Sequence, residues 1–306
     1  MARLSASSSS SAWANVVNGN ISAPSTTTSP ITPTSAWSIE DDVDVTLRPV
    51  EADDDLPVFD GEEAIDTRAV PMDDSLYPRG SRDLSFIGLQ AFALGSVFAA
   101  CIFGTILAII LDSPWWRLSA FFATLAVFHF LEYYTTARYN TEAVRAESFL
   151  LYSNGIHYFI AHTCATLELI VGRLFPEYGN ALVHPGMISG GLALILIGQG
   201  VRSFAMAQAG PSFNHIIARQ RKDTHKLVTH GFYSVFRHPA YFGFFWWAIG
   251  TQFLIGNKIC VIGYAAALHH FFRGRIIGEE KYLVNFFGDK YIEYKNKTGT
   301  MIPFIR

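Results

Sequence analysis

The chain is short of charge and of cysteine, and each shortage removes a class of protein. Of 306 residues only 16% are Asp, Glu, Lys or Arg, against 50% hydrophobic and 14% aromatic. A soluble chain of this length carries nearer a quarter charged residues, so the balance indicates a lipid solvent. Three cysteines, Cys101, Cys164 and Cys260, stand apart in apolar stretches, without Cys-x-x-Cys spacing and without histidines at metal-ligand intervals. That argues against a zinc site or a disulfide framework and gives the thiols a role in core packing. The amino terminus has no basic start followed by an apolar run, so no cleaved secretory signal is expected and membrane insertion falls to later segments.

What charge there is divides sharply. Residues 1–80 hold four Arg or Lys and fourteen Asp or Glu, a balance of −10, which leaves +7 for residues 81–306. The first segment combines Ser/Thr/Pro-rich stretches with acidic clusters such as Asp53-Asp54-Asp55. It is too polar to offset the entropy of folding, and residues 1–80 are expected to form a disordered cytosolic tail.

Beyond it the apolar runs begin. A hydrocarbon core of ~30 Å needs about 20 mainly apolar residues in helix. Phe86–Leu111 and Trp115–Tyr134 meet that length, separated only by Asp112-Ser113-Pro114, and read as a helical hairpin. Phe149–Val171 is a third span despite His157, His162 and Glu168, and Gly186–Ala207 is a fourth, with glycines that permit close helix approach. Phe242–Ile255 and Ile259–Phe272 are shorter, with a Gly256-Asn257-Lys258 break between them. The expected fold class is an all-α integral membrane protein of about six transmembrane helices with a cytosolic, cofactor-binding C-terminal region. Arg219, Arg221, Lys222, Lys226 and Arg237 in one loop, and Arg138 and Arg145 in another, place those loops and both termini in the cytosol. Asp112 and the Arg173 to His184 segment then fall on the opposite side.

Between Asn214 and Gly243 lie four histidines, His215, His225, His230 and His238, and two tyrosines just outside apolar helices. A positive-inside loop accounts for the Arg and Lys residues but not for these. Pro239 suits the first position of a helix whose free N–H groups could receive an anionic ligand group. Farther on, Arg275 and Glu279 are four apart and share a helical face, which by itself is an ordinary surface pair. His129, Glu132, Asn140, His157, His162 and Glu168 interrupt apolar runs, where a charged group must be paired or face a cavity.

The pattern H-x-L-V-T-x-G-x-Y-x-x-x-R-H-P-x-Y-x-G, present from His225 to Gly243, resembles the isoprenylcysteine carboxyl methyltransferase family. Asn214-His215, Gly250-Thr251-Gln252, Arg275 with Glu279-Glu280, Phe286-Phe287-Gly288, Tyr291 and Ile302-Pro303-Phe304 extend the likeness in order, and Glu132-Tyr133, Ala137 and Asn140 carry it upstream. It covers roughly residues 85–306. The resemblance implies a polytopic methyltransferase domain over 81–306 in the endoplasmic reticulum membrane. It implies that His225, Leu227, Val228, Tyr233, His238, Tyr241 and Glu279 bind S-adenosylmethionine and that Arg275 meets the substrate carboxylate as catalytic and substrate-binding residue. The implied partners are proteins ending in isoprenylated (farnesyl or geranylgeranyl) cysteine and the bilayer, with no nucleic acid and no metal. Ala218 stands where the resemblance leads one to expect a Gln contacting the cofactor. Two other readings compete: a phospholipid methyltransferase or membrane sterol reductase with a related helical core, and a transporter or non-catalytic lipid-binding protein using polar groups in spans three and four. Arg275 with Glu279-Glu280 and Ile302-Pro303-Phe304 favour the prenylcysteine enzyme over the first, and cofactor binding by the His225 to Tyr241 loop would exclude the second.

Overall fold

The computed structural model describes residues 73–175, 177 and 185–305. The expected acidic tail up to residue 72, and most of the segment between Arg173 and His184, lie outside the described residues. Among the described residues eight α-helices follow in order: α1 Leu84–Ile110, α2 Trp116–Tyr139, α3 Ile156–Leu174, α4 Pro185–Ala209, a single turn α5 Phe232–Val235, α6 Pro239–Ile255, α7 Ile259–Phe287 and α8 Asp289–Lys297. Among the described residues there is no strand, only an isolated bridge between Ile302 and Ile305.

The first hairpin is set by its ends. The Asp83 carboxylate accepts the Phe86 N–H at 3.0 Å and the Ser85 hydroxyl at 2.6 Å, which satisfies donors that the first turn of α1 leaves open. Its other end stops at Asp112, whose φ is +51°. Two of the described helices, α1 and α4, are long and apolar enough by length and composition to cross a membrane.

The centre of the bundle is α6. It is apolar around its whole circumference, as a helix enclosed by others must be, and Phe245, Trp247, Ile249 and Leu254 are buried. Its closest neighbour is α4, and glycine makes the approach possible. A Cβ on Gly198 of α4 would lie 2.5 Å from the Trp247 backbone nitrogen; one on Gly243 of α6 would lie 2.5 Å from the Gly198 carbonyl oxygen. The two backbones touch where any side chain would part them.

Polar groups fix the turn between α6 and α7. Gly256 adopts φ +79°, and Asn257 donates to the Gln252 side chain at 2.9 Å and to the Ala165 carbonyl of α3 at 3.0 Å. Glu168 of α3 then accepts the N–H groups of Lys258, Ile259 and Cys260 at 2.6, 2.8 and 2.7 Å, capping α7 from a distant segment. A carboxylate in an apolar run thus has a structural partner.

Three expectations need correction. The third helix begins at Ile156, not Phe149; Phe149 ends a short 3-10 turn and stacks at 4.1 Å on Tyr133, so its apolarity serves a plug. The last apolar helix does not end where charge begins: α7 runs unbroken through Arg275 and Glu279 to Phe287, 29 residues or about 43 Å. The cysteines do not fill the core, since Cys164 is exposed and Cys101 and Cys260 are only partly covered.

Candidate active site

The loop from Phe213 to Gly231 is tied down at several points. Asn140, at the end of α2, donates to the Phe213 carbonyl at 2.7 Å. Arg221 donates to the Phe286 carbonyl at 2.9 Å and lies over the Phe287 ring at 5.1 Å, drawing the loop onto α7. At its far end Gly231 has φ +60°, and the Gln208 side chain fills the place a Cβ would take while accepting the Phe232 N–H at 3.0 Å. Only glycine fits that approach.

Under this loop, between α6 and the second half of α7, lies a cavity lined by Leu227, Val228, Tyr233, His238, Tyr241 and Glu279, with Leu283 and Phe287 as an apolar wall. An adjoining recess holds His225 and Ala218 and shares Glu279, Leu283 and Phe287. Six of the seven expected cofactor residues therefore meet in one cavity and the seventh, His225, in its annexe. Partial burial, reinforced by the charges of Lys222 and Arg221, lowers the pKa of His225, so the neutral ring is favoured.

Arg275 is one helical turn before Glu279, and the two are joined through Tyr241. The Tyr241 hydroxyl donates to Glu279 Oε2 at 2.5 Å and accepts from Arg275 Nε at 2.8 Å. Arg275 Nη2 donates to the His215 carbonyl, and its guanidinium lies over the rings of Tyr241 and Phe271. The Tyr241 ring stacks on His238 at 5.4 Å and Phe272 at 5.1 Å, so its hydroxyl is fixed in direction.

Behind the cavity Glu280 collects three donors: Arg237 Nε at 2.5 Å, His238 Nε2 at 3.3 Å and Lys295 Nζ at 2.6 Å. Burial pushes this carboxyl upward, but hydrogen bonds from His238, Lys295 and Arg237 outweigh it and hold the pKa at about 2. Arg237 also donates to the Thr298 carbonyl at 2.5 Å, and its backbone N–H to Gly299 at 2.7 Å, locking the C-terminal segment over the site. Tyr294, whose pKa burial pushes up to about 12, donates to the Tyr233 carbonyl at 2.6 Å.

Toward the bundle a second, apolar cavity of about 430 Å³ opens between α3, α6 and α7. Phe271 lines it at the Arg275 end, and Cys164, Cys260 and Tyr264 line it farther along. Arg275 itself lines neither cavity; it is joined to the polar one through Tyr241 and to the apolar one through Phe271. Sequence reasoning did not place Arg237 or Glu280 in the site, although both belong to the motifs it quoted. It also gave no function to Glu132, and its own signal, a carboxylate inside an apolar run, was the one available.

Residues 191–285 match the model of the isoprenylcysteine carboxyl methyltransferase family. The protein-S-isoprenylcysteine O-methyltransferase of Schizosaccharomyces pombe is 39% identical over 230 residues, 72% of this chain and 97% of that protein. The protein of the same name from Saccharomyces cerevisiae is 48% identical over 189 residues, 60% of this chain and 79% of that one. The solved structure of a eukaryotic intramembrane Ras methyltransferase, isoprenylcysteine carboxyl methyltransferase, superposes with a TM-score of 0.66 at 33% identity, covering 72% of this chain and 77% of the other.

Proposed function

Because the chain belongs to the isoprenylcysteine carboxyl methyltransferase family, we propose that Arg275, Tyr241 and Glu279 carry out its reaction at the junction of the two cavities. The enzyme transfers a methyl group to the C-terminal α-carboxylate of an isoprenylated cysteine, forming a methyl ester. The observation that carries the reading is the place of Arg275. It lies against the apolar cavity through Phe271 and against the polar cavity through Tyr241.

The polar cavity suits S-adenosylmethionine as methyl donor. Glu279 offers an acceptor for an amino group, and Leu283 and Phe287 a flat apolar wall for a base. When bound, the cofactor supplies a methyl group made electrophilic by its sulfonium. The substrate carboxylate, with a reference pKa of ~3.5, is ionised at neutral pH, so the protein needs no general base.

What remains for the chain is alignment and dehydration, worth on the order of 7–11 kcal/mol when two reactants are held in attack geometry. Arg275 has two of its N–H groups engaged by Tyr241 and His215, and the rest of its fork can orient both carboxylate oxygens. Attack neutralises the carboxylate, so an Arg that bound it too tightly would stabilise the ground state more than the transition state. The contacts to Tyr241 and His215 temper that grip by sharing the guanidinium. The apolar cavity receives the prenyl chain from the lipid.

In this reading α1, α2, α3, α4, α6 and α7 cross the endoplasmic reticulum membrane. Both termini and the loops rich in Arg and Lys face the cytosol. Catalysis is confined to residues 81–306, with the acidic 1–80 segment a cytosolic tail. The test is methyl transfer from labelled S-adenosylmethionine to farnesylcysteine and to unprenylated cysteine in membranes containing the protein. Base-labile label on farnesylcysteine alone is expected; equal labelling of both acceptors, or none with folded protein, would reject the assignment.

A further inference from the structure

Three segments far apart in the chain meet at one buried carboxylate. Glu132 of α2 is wholly buried, and its two oxygens accept from Arg202 of α4, Nε at 2.5 Å and Nη2 at 2.7 Å. The second oxygen also meets His215 Nε2 at 2.9 Å. A carboxylate in the interior of a membrane bundle is costly, and a bidentate Arg with a third partner is what such a group needs to stay there. The Arg202 guanidinium lies over the rings of Phe128 and Phe244 at 5.6 and 5.2 Å, so it has no room to swing away.

Both arms of this network lead to Arg275. Along one, His215 is held by its ring, and the carbonyl of the same residue accepts Arg275 Nη2. Along the other, Arg202 Nη1 donates to the Ala240 carbonyl at 3.1 Å, fixing the backbone beside Tyr241, whose hydroxyl accepts Arg275 Nε. Both hydrogen-bond acceptors that the protein offers to the Arg275 guanidinium, the Tyr241 hydroxyl and the His215 carbonyl, are thus linked to the same carboxylate. Glu132 touches neither cavity.

We infer that Glu132 is a positioning residue for methyl transfer: through Arg202 and His215 it sets the direction of the Arg275 guanidinium. The inference rests on the reading of Arg275 as the group that orients the substrate carboxylate. A small rotation of that fork misaligns the attacking oxygen, whereas the cofactor-cavity wall formed by Leu227, Val228, Leu283 and Phe287 lies outside the Glu132 network, which shares only Ala240 and Tyr241 with that cavity.

The experiment is a cycle of variants. Methyl transfer to farnesylcysteine is measured for Glu132→Gln in the wild-type background and in Arg275→Lys, with S-adenosylhomocysteine binding and thermal unfolding followed on the same preparations. In the wild-type background kcat should fall by roughly ten- to a hundredfold while S-adenosylhomocysteine affinity is retained. In the Arg275→Lys background the same change should cost no more than about twofold, because its route of action is already gone. Multiplicative losses, or a fall in S-adenosylhomocysteine binding in step with kcat, would overturn the inference and make Glu132 a support of the bundle as a whole. Where Glu132→Gln fails to fold, His215→Ala, which keeps the Glu132–Arg202 pair, should show the same non-additivity with a smaller loss. If Arg275→Lys alone keeps the wild-type rate, the orienting role of Arg275 falls, and the inference with it; that result is separate from additivity in the cycle.

Discussion

Two buried carboxylates stand on either side of Tyr241, and they are built from the same parts. Glu132 is bound by an Arg and a His, Glu280 by an Arg, a His and a Lys. Glu132 sits inside the bundle, where its partners come from α4 and the following loop and where aromatic rings hold its Arg. Glu280 sits where α7 leaves the bundle, and its Lys295 is largely open to solvent. The same chemistry therefore does two jobs. The inner carboxylate is enclosed by the bundle and leads to the Arg275 contacts; the outer one reaches the surface through Lys295 and, through Arg237, holds the C-terminal segment.

Substitutions can separate the two regions. The largest effect should come from the helix contact on which both depend: Gly198→Leu drives a side chain into the Trp247 backbone. That should exceed the ~1–3 kcal/mol usual for overpacking and abolish recovery of monodisperse protein in detergent. Next, Glu132→Gln leaves Arg202 buried without its carboxylate, a loss of about 3–5 kcal/mol, visible as a lower unfolding midpoint.

The outer centre should reveal itself through pH instead. Glu280 has a pKa of about 2 in the folded protein against an ordinary 4.5 for a free Glu side chain, so the native state binds its proton less readily than the unfolded state. Its stabilisation is complete above about 4.5 and is lost as pH falls toward about 2. Thermal unfolding followed down this range should show a declining acid limb that Glu280→Gln flattens. An unchanged slope in that variant would mean the comparison between the centres is drawn in the wrong place. The smallest effect belongs to the annexe. Ala218→Gln restores a side chain able to hydrogen-bond in the recess with His225 and should tighten S-adenosylhomocysteine binding by about 0.5–1.5 kcal/mol, measured by titration calorimetry.

These contrasts also show what the sequence could and could not reveal. The helix boundaries at Asp112-Ser113-Pro114 and at Gly256-Asn257-Lys258 were legible because a turn residue leaves a local mark. So was Pro239 as the first residue of α6. The cavity residues from His225 to Tyr241 were found through a motif, and the fold brings them together. Phe149 misled, since burial inside protein and burial in lipid select the same side chain. The partners of Glu132 could not be read at all: Arg202 and His215 are 70 and 83 residues away, and only the crossing of α2 and α4 makes them neighbours. The Arg275 and Glu279 spacing suggested a direct ion pair, and the intervening Tyr241 comes from a different helix.

The central claim is that Arg275 works by direction and not by charge alone. Arg275→Lys keeps the charge and loses the fork, so methyl transfer to farnesylcysteine at saturating cofactor, measured beside S-adenosylhomocysteine affinity, tests it most directly. The account predicts a fall in kcat of about a hundredfold with cofactor affinity unchanged. A Lys variant with near wild-type kcat, or one whose loss follows weakened S-adenosylhomocysteine binding, would contradict it.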